Sequence, residues 1–231
     1  MEETNTKVLV IDEQGSQGWF DARIGKLTAS RFGGLLTRPR SKKDKEAGLV
    51  SKTTETYLRE KVTEVLTGET RQLSSEALTW GSETENDARE FYELNKLVEV
   101  EQVGFISWKE NLMVGGSPDG LVGLDGIIEI KCPYDSTNHT VYLYNKEIPK
   151  AYYAQIQGNL FITDRKWCDF IVYNPRVIDD KYKMIVIRIE RDEEFIKKLK
   201  EVIGISLNNL EEMLKVVDLT FKDVLERKYV K

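Results

Sequence analysis

The chemistry in this chain is concentrated in fifteen residues, Ser117 to Lys131, which read S-P-D-G-L-V-G-L-D-G-I-I-E-I-K. An Asp-Gly step between two apolar, β-branched runs predicts a β-hairpin. On its second strand Glu129 and Lys131 are two residues apart and face the same side. Hairpin register decides whether Asp119 joins them. A two-residue turn at Asp125-Gly126 would aim Asp119 away. A three-residue loop, Leu124 to Gly126, pairs Gly123 with Ile127 and sets Asp119 opposite Lys131. Gly126 stands at the left-handed last position such loops favour, so the second register is expected.

Two converging carboxylates repel unless a positive charge lies between them. A hard divalent cation with oxygen ligands, Mg²⁺ or Mn²⁺, is the natural partner. A neighbouring lysine would then orient or deprotonate a water, or stabilise charge on a phosphoryl oxygen. The spacing D-x9-E-x-K resembles the signature of the PD-(D/E)XK nuclease fold. The plainer alternative is an exposed hairpin with a solvated Glu and Lys, where S-P-D-G is only a turn.

The elements needed to position these groups are legible around them. Residues 7 to 12 read as a short strand. Trp19, Ala22 and Arg23 lie on a helical turn that Gly25 ends. Thr28 and Ser30 precede a helix starting near Arg31, with Ser30 as its expected N-cap, and a helix start with hydroxyls beside an arginine suits phosphate. Residues 37 to 53 form a basic loop containing Arg40, followed by a helix from Thr54 to about Leu66 with Gly68 as C-cap. Ser82 to Glu85 fits a capping box, placing a helix over Glu83 to Asn95 with Leu78 and Trp80 just ahead of it. Glu85 is then either a cap or a third carboxylate aimed at a metal. Strands are expected over Val98 to Ser107, Leu112 to Gly116, Trp167 to Tyr173 and Tyr182 to Ile189. A helix over 149 to 162 carries Gln155 and Gln157, and residues 192 to 231 give one or two amphipathic helices. Residues 132 to 140 read as a loop, with the lone His139 in it. The sum is one α/β domain with a central mixed sheet flanked by helices.

Composition sets the bounds. The chain has 231 residues, 40% hydrophobic and 32% charged, as in ordinary globular proteins. No run approaches a membrane span, and Met1 to Lys7 shows no secretory signal. Cys132 and Cys168 have no paired spacing, so reduced thiols in a cytoplasmic protein are expected. Too few thiols and imidazoles are present for a structural zinc. The absence of a Walker or Rossmann glycine pattern argues against ATP or NAD. The net charge of −5 argues mildly against nucleic acid, but the charge is uneven. Residues 38 to 61 carry eight basic and four acidic residues, while 79 to 101 carry two basic and seven acidic. A basic arm beside an acidic pocket suits a metal-dependent nuclease, although each run taken singly is compatible with a solvated helix face.

Seven ordered blocks carry a resemblance: W-F-D-A-R-I-G-K-L-T-A-S at 19–30, R-P-R-S at 38–41, A-L-T-W-G-S-E-T-E-N-D-A-R at 77–89, S-P-D-G at 117–120, E-I-K-C-P at 129–133, A-Y-Y-A-Q-I-Q at 151–157 and I-E-R-D at 189–192. In these the chain resembles the lambda-exonuclease, or YqaJ-type viral recombinase, family of alkaline exonucleases. The resemblance implies a Mg²⁺-dependent 5′→3′ exonuclease with two ions per site. It would degrade linear duplex DNA to mononucleotides, leaving 3′ single-stranded tails for an annealing protein. It also implies a trimeric ring around DNA. Asp119, Glu129 and the Ile130 carbonyl would then be metal ligands, and Lys131 would act on the attacking water. Glu85 and Gln157 would orient that water or a second metal shell. Trp19, Arg23, Thr28, Ser30 and Ser117 would lie along the phosphates, Arg40 would hold a terminal 5′-phosphate, and Leu78 would act as a strand-peeling wedge. The segment from Lys42 to Thr53 is longer than the family pattern, so no second wedge residue is assigned. A site-specific endonuclease on the same fold and a non-catalytic DNA-binding module are the alternatives.

Overall fold

The computed structural model describes residues 10–11, 13–46, 49–70 and 75–227. Of the strand expected over 7–12, Val10–Ile11 forms β1, and 7–9 and 12 lie outside the described residues. The short helix α1 (Gln17–Arg23) is capped by the Ser16 hydroxyl, and Gly25, at φ 71, turns the chain out of it. Strand β2 (Leu27–Thr28) runs into a 3-10 turn, Ala29–Arg31, and the four-residue helix α2 (Phe32–Leu35). The expected Ser30 cap is therefore not formed. Thr28 occupies the cap position without a side-chain bond, and Ser30 lies inside the turn. The basic loop contains a helix, α3 (Lys42–Glu46), while residues 47 and 48 within it are outside the described set. Helix α4 (Lys52–Thr67) is capped by Ser51 and ends at left-handed Gly68, as its sequence requires.

Helix α5 (Glu76–Lys96) begins about two turns earlier than the capping-box reading placed it. The Ser75 hydroxyl accepts the Leu78 N–H, so Ser82 and Glu85 lie inside the helix and Leu78 and Trp80 lie in its opening turns. Then follow β3 (Val100–Glu101), β4 (Phe105–Trp108), β5 (Asn111–Gly116), β6 (Gly120–Val122) and β7 (Gly126–Lys131). Helices α6 (Ser136–Asn145) and α7 (Lys150–Thr163) lead to β8 (Trp167–Tyr173), α8 (Asp180–Lys183), β9 (Met184–Glu190), α9 (Glu193–Lys215) and α10 (Phe221–Glu226). The expected loop at 132–140 is thus partly helical: Asp135 caps α6.

The strands form two mixed ladders, β1-β4-β5-β2 and β3-β6-β7-β8-β9, each with one parallel pair. Strands β7 and β8 run parallel, and α6 and α7 make the crossover that a parallel pair needs. Alternation along β7 divides its neighbours. Ile127 packs with Ile156 and Leu160 of α7, whereas Ile128 and Ile130 pack with Ala88 and Tyr92 of α5. Glu129 has the parity of Ile127 and so faces α7. A larger apolar core unites the first ladder with Ile196, Leu199, Ile203, Leu207, Leu210 and Leu214 of α9. Their spacing of three and four is the apolar stripe read from the sequence.

The central hairpin has a three-residue loop, but not in the expected register. Val122 pairs with Gly126, Leu121 with Ile127 and Gly120 with Ile128. The loop is Gly123–Leu124–Asp125, and Gly123, at φ 53, supplies the left-handed position. Continuing the pairing by one step sets Asp119 beside Glu129 and not opposite Lys131. Gly126 serves a different need: a Cβ there would lie 2.1 Å from the Trp167 ring. Arg165 grips the carbonyls of Val122, Gly123 and Gly126 at 3.3, 2.9 and 2.7 Å, which fixes the turn from outside. Because the partner changes by two residues, every side chain keeps its face.

Candidate active site

The site forms at the C-terminal end of β7, between α5 and α7. Asp119 lies on the step into β6. Its N–H donates to the Ile128 carbonyl at 3.1 Å, and its Oδ2 accepts the Ile130 N–H at 2.6 Å. Glu129 is fully buried. Its Oε1 accepts Lys131 Nζ at 2.5 Å and Gln155 Nε2 at 2.6 Å, and Asn159 Nδ2 stands 3.5 Å from Oε2. Lys131 also donates to the Ile130 carbonyl at 2.9 Å and lies 5.2 Å from the Tyr152 ring centroid. On the α5 side, Arg89 donates to Glu85 Oε1 at 2.8 Å and to the Asp119 carbonyl at 3.4 Å.

Small residues let α7 pack closely on its neighbours. A Cβ on Gly116 would fall 2.2 Å from Asn159 Oδ1, and one on Gly158 would fall 2.6 Å from Phe32. The glycine inside α7 is thus a packing choice, and the one in β5 leaves room for Asn159.

Negative charge is in excess here. Burial, and then Asp119, push Glu85 up to about 7 against the pull of Arg89. Burial also pushes Glu129 up to about 7; Lys131 pulls it back, while Asp119 and Glu85 add to the rise. Asp119 is raised chiefly by burial. Burial works against the charge on Lys131, but Glu129 and Asp119 outweigh it and hold the ammonium protonated.

The donor set fits a hard cation. The candidate donors are the carboxylates of Asp119, Glu129 and Glu85, whose charges act on one another, and the main-chain oxygen of Ile130. Two of them, Glu129 Oε1 and Ile130 O, already share one positive group, the Lys131 ammonium. Among the described residues no group of three or more acidic, imidazole or thiol side chains is arranged to hold a metal ion by itself.

The expected phosphate residues divide. Trp19, Arg23 and Ser117 come together: Trp19 Nε1 donates to Ser117 Oγ at 2.9 Å, Arg23 donates to the same oxygen at 3.3 Å, and the guanidinium stacks 4.1 Å from the Trp19 ring. A cleft of about 660 Å³ joins Trp19 to Ser82, Glu85, Arg89 and Asp119. Thr28 is buried, with its N–H on the Tyr57 hydroxyl at 2.9 Å, and the exposed Ser30 stands 3.4 Å from its Oγ1. Arg40 is exposed in the bend before α3, and Leu78 is 53% exposed on α5.

Two expectations are corrected. Gln157 does not face the carboxylates. It is fully buried, donates to the Glu190 carbonyl at 2.9 Å and accepts the Asp192 N–H at 2.9 Å. It lies half a turn or so from Gln155, which makes the contact instead. His139 does not sit in a loop but is buried in α6. Its Nε2 stands 2.8 Å from the Tyr182 carbonyl, which only accepts, so the ring carries its proton there. Sequence reasoning also missed Arg89, Asn159 and Tyr152. The i, i+4 pairs Glu85–Arg89 and Gln155–Asn159 were the available signal.

Helices on both sides of mixed sheets, with an Asp, a Glu-x-Lys and a glutamine at one sheet end, define the PD-(D/E)XK class of α/β nuclease folds. Residues 18–166 match the YqaJ-like viral recombinase domain. The structure is similar to an alkaline exonuclease, LHK-Exo, from Laribacter hongkongensis (32% identity, 87% of this chain and 96% of that one, TM-score 0.77). It is equally similar to LHK-Exo in complex with dAMP (33% identity, 87% and 96%, TM-score 0.77). It shares its fold with a phage-related exonuclease from Haemophilus somnus 129PT (21% identity, 84% and 96%, TM-score 0.70). No curated protein matches the sequence. The chain belongs to the YqaJ-like viral recombinase family. Among the described residues no helix is long and apolar enough to cross a membrane.

Proposed function

We propose that this protein is a metal-dependent exonuclease that hydrolyses linear double-stranded DNA in the 5′→3′ direction. It releases mononucleotides and leaves 3′ single-stranded tails. The observation that carries the reading is the Lys131 ammonium seated between Glu129 Oε1 and the Ile130 carbonyl, with Asp119 tied to the same strand through the Ile130 N–H. The likeness to LHK-Exo, which binds dAMP, agrees with a mononucleotide product.

Asp119, Glu129 and the Ile130 carbonyl would hold Mg²⁺ or Mn²⁺, with Glu85 serving a second ion or its water. The metal supplies Lewis-acid polarisation of the phosphate and a more acidic water. Water oxygen adds to phosphorus and loses a proton, the bond from phosphorus to the 3′ oxygen of the terminal nucleotide breaks, and that oxygen takes up a proton from solvent and leaves as the 3′-hydroxyl of the released mononucleotide. Lys131, charged, orients the water and stabilises the phosphoryl oxygens. Gln155 and Asn159 hold the Glu129 carboxylate in one orientation, as Arg89 holds Glu85. Arg23 and Ser117, braced by Trp19, bind phosphate next to the cut, with Thr28 and Ser30 alongside. Arg40 receives the 5′-terminal phosphate, and Leu78 parts the strands. We place the whole chain in one nuclease domain that assembles as a trimeric ring in the host cytoplasm and hands its tails to an annealing protein.

The test is digestion of linear duplex in Mg²⁺, with and without a 5′-phosphate, following which strand shortens. The 5′-phosphorylated strand is expected to shorten, EDTA to stop it, and a supercoiled circle to stay intact. Nicking of the circle, or shortening from the 3′ end, overturns the assignment.

A further inference from the structure

Lys131 opens on a second cavity, of about 780 Å³, that shares no wall with the Asp119 cleft. One wall is a single face of α6: Asn138, Val141, Tyr142 and Asn145 follow the i, i+3, i+4, i+7 spacing. The start of α7 supplies Ala151 and Tyr152 opposite, and Tyr134 stands at the rim. Val141 and Tyr134 are each 47% exposed, an open apolar surface at the edge of an otherwise polar site.

Tyr134 is held more firmly than its exposure requires. Its hydroxyl donates to Glu76 Oε2 at 3.1 Å, and its ring meets Trp80 edge-on at 6.4 Å between centroids. Its carbonyl accepts from Arg176 at 2.7 Å, and the same guanidinium bonds the Pro133 carbonyl at 3.0 Å and lies 4.4 Å from the Trp80 ring centroid. Asn174, buried, anchors Arg176 through its Oδ1 at 3.1 Å. A half-exposed ring held at its hydroxyl and at its edge, on a main chain pinned by Arg176, is pre-organised for contact, because little freedom remains to be lost on binding.

From these observations we infer that this groove is the subsite for an unstacked nucleoside of the attacked strand, next to the scissile phosphate, with Tyr134 as its stacking platform. The inference rests on the nuclease reading, which puts a phosphate at Lys131; a polynucleotide held there must continue into an adjoining space. The chemistry of the groove suits base and sugar more than phosphate. Aromatic faces stack on any base. The amides of Asn138 and Asn145 both donate and accept, so they do not select one base edge over another. The groove therefore grips single-stranded DNA without regard to sequence, as an enzyme that shortens arbitrary duplexes requires.

The experiment is fluorescence polarisation with a short labelled oligothymidylate in EDTA, where no strand is cut. Tyr134→Ala weakens binding about 5- to 100-fold, the range for loss of one base–aromatic stack. Tyr134→Phe keeps the ring and retains wild-type affinity. Val141→Glu, at an exposed position, weakens binding by repelling the strand. Absence of measurable binding by the wild type, or unchanged affinity in both Tyr134→Ala and Val141→Glu with unaltered melting, overturns the subsite. Digestion of linear duplex by the wild type separates the two levels. Cutting without a Tyr134 effect removes the subsite alone. Tyr134-dependent binding without cutting in Mg²⁺ or Mn²⁺ removes the nuclease reading and leaves the groove as a single-strand site.

Discussion

Gln155 Nε2 donates to Glu129 Oε1 at 2.6 Å, from a helix that packs closely on Phe32 at Gly158 and on Gly116 of β5 at Asn159. Glu129 is fully buried, so its orientation is set by such partners and not by water. Gln155→Leu is expected to cut the rate of duplex digestion by about 10- to 100-fold, the usual loss when a group orienting a metal ligand is removed. Gln155→Glu is expected to be worse, since it sets another carboxylate against Glu129. Steady-state digestion at saturating Mg²⁺ checks this, and a Gln155→Leu rate equal to wild type would remove the residue from the site.

Gln157 gives the opposite outcome. Its amide bonds the Glu190 carbonyl and the Asp192 N–H where β9 meets α9, and Asp192 is the N-cap of that helix. Gln157→Leu strands both main-chain groups and is expected to cost about 1–3 kcal/mol of stability. At roughly 2–4 °C per kcal/mol for a chain of this size, thermal denaturation resolves it. Activity per folded molecule stays near wild type, and a selective loss of rate without a drop in melting temperature would contradict this.

Lys131→Ala removes the one positive group shared by Glu129 and the Ile130 carbonyl. Cutting is expected to fall by at least about a hundredfold, as when a preorganised electrostatic partner is deleted. Binding of duplex ends, measured in Ca²⁺ by gel shift, is largely spared because Arg23, Ser117 and Trp19 are untouched. A near-normal rate refutes the role given to the lysine.

The raised carboxyls make the metal-free protein sensitive to pH. Glu85 and Glu129 release their protons near 7 in the fold but near 4.5 when unperturbed. Between those values the folded chain holds more protons than the unfolded one, so stability falls as pH rises. In EDTA the melting temperature is expected to be lower at pH 8 than at pH 6. Glu85→Gln is expected to flatten the difference. Added Mg²⁺ should raise the melting temperature more at pH 8, where metal no longer competes with protons. A steeper dependence in Glu85→Gln than in wild type would count against this account.

Periodicity and caps located most elements. The stripe of α9, the left-handed Gly68 and the β7–β8 strands are all visible in residue order. The misplaced parts depended on tertiary neighbours. Gly126 looked like a turn residue, but the Trp167 ring occupies its missing side chain, and the register moved. Ser82–Glu85 satisfied a cap pattern, yet Ser75 capped first and the helix ran through. Glu129 and Lys131 could be chosen from one strand's alternation, and Asp119 from the facing arm of the hairpin. Choosing Gln155 over Gln157 required knowing which face of α7 meets β7, and neighbouring spacings along an apolar helix do not reveal it.

The grip of Arg165 on the hairpin carbonyls has a practical side. With the bend clamped from a neighbouring strand's lead-in, Leu124 at the tip is 92% exposed and has no structural duty. A cysteine for a dye, or a spliced-in affinity peptide, is expected to be tolerated there without moving Glu129 at the far end of the ribbon. The enzyme thus comes with a handle through which it can be watched or tethered while it works.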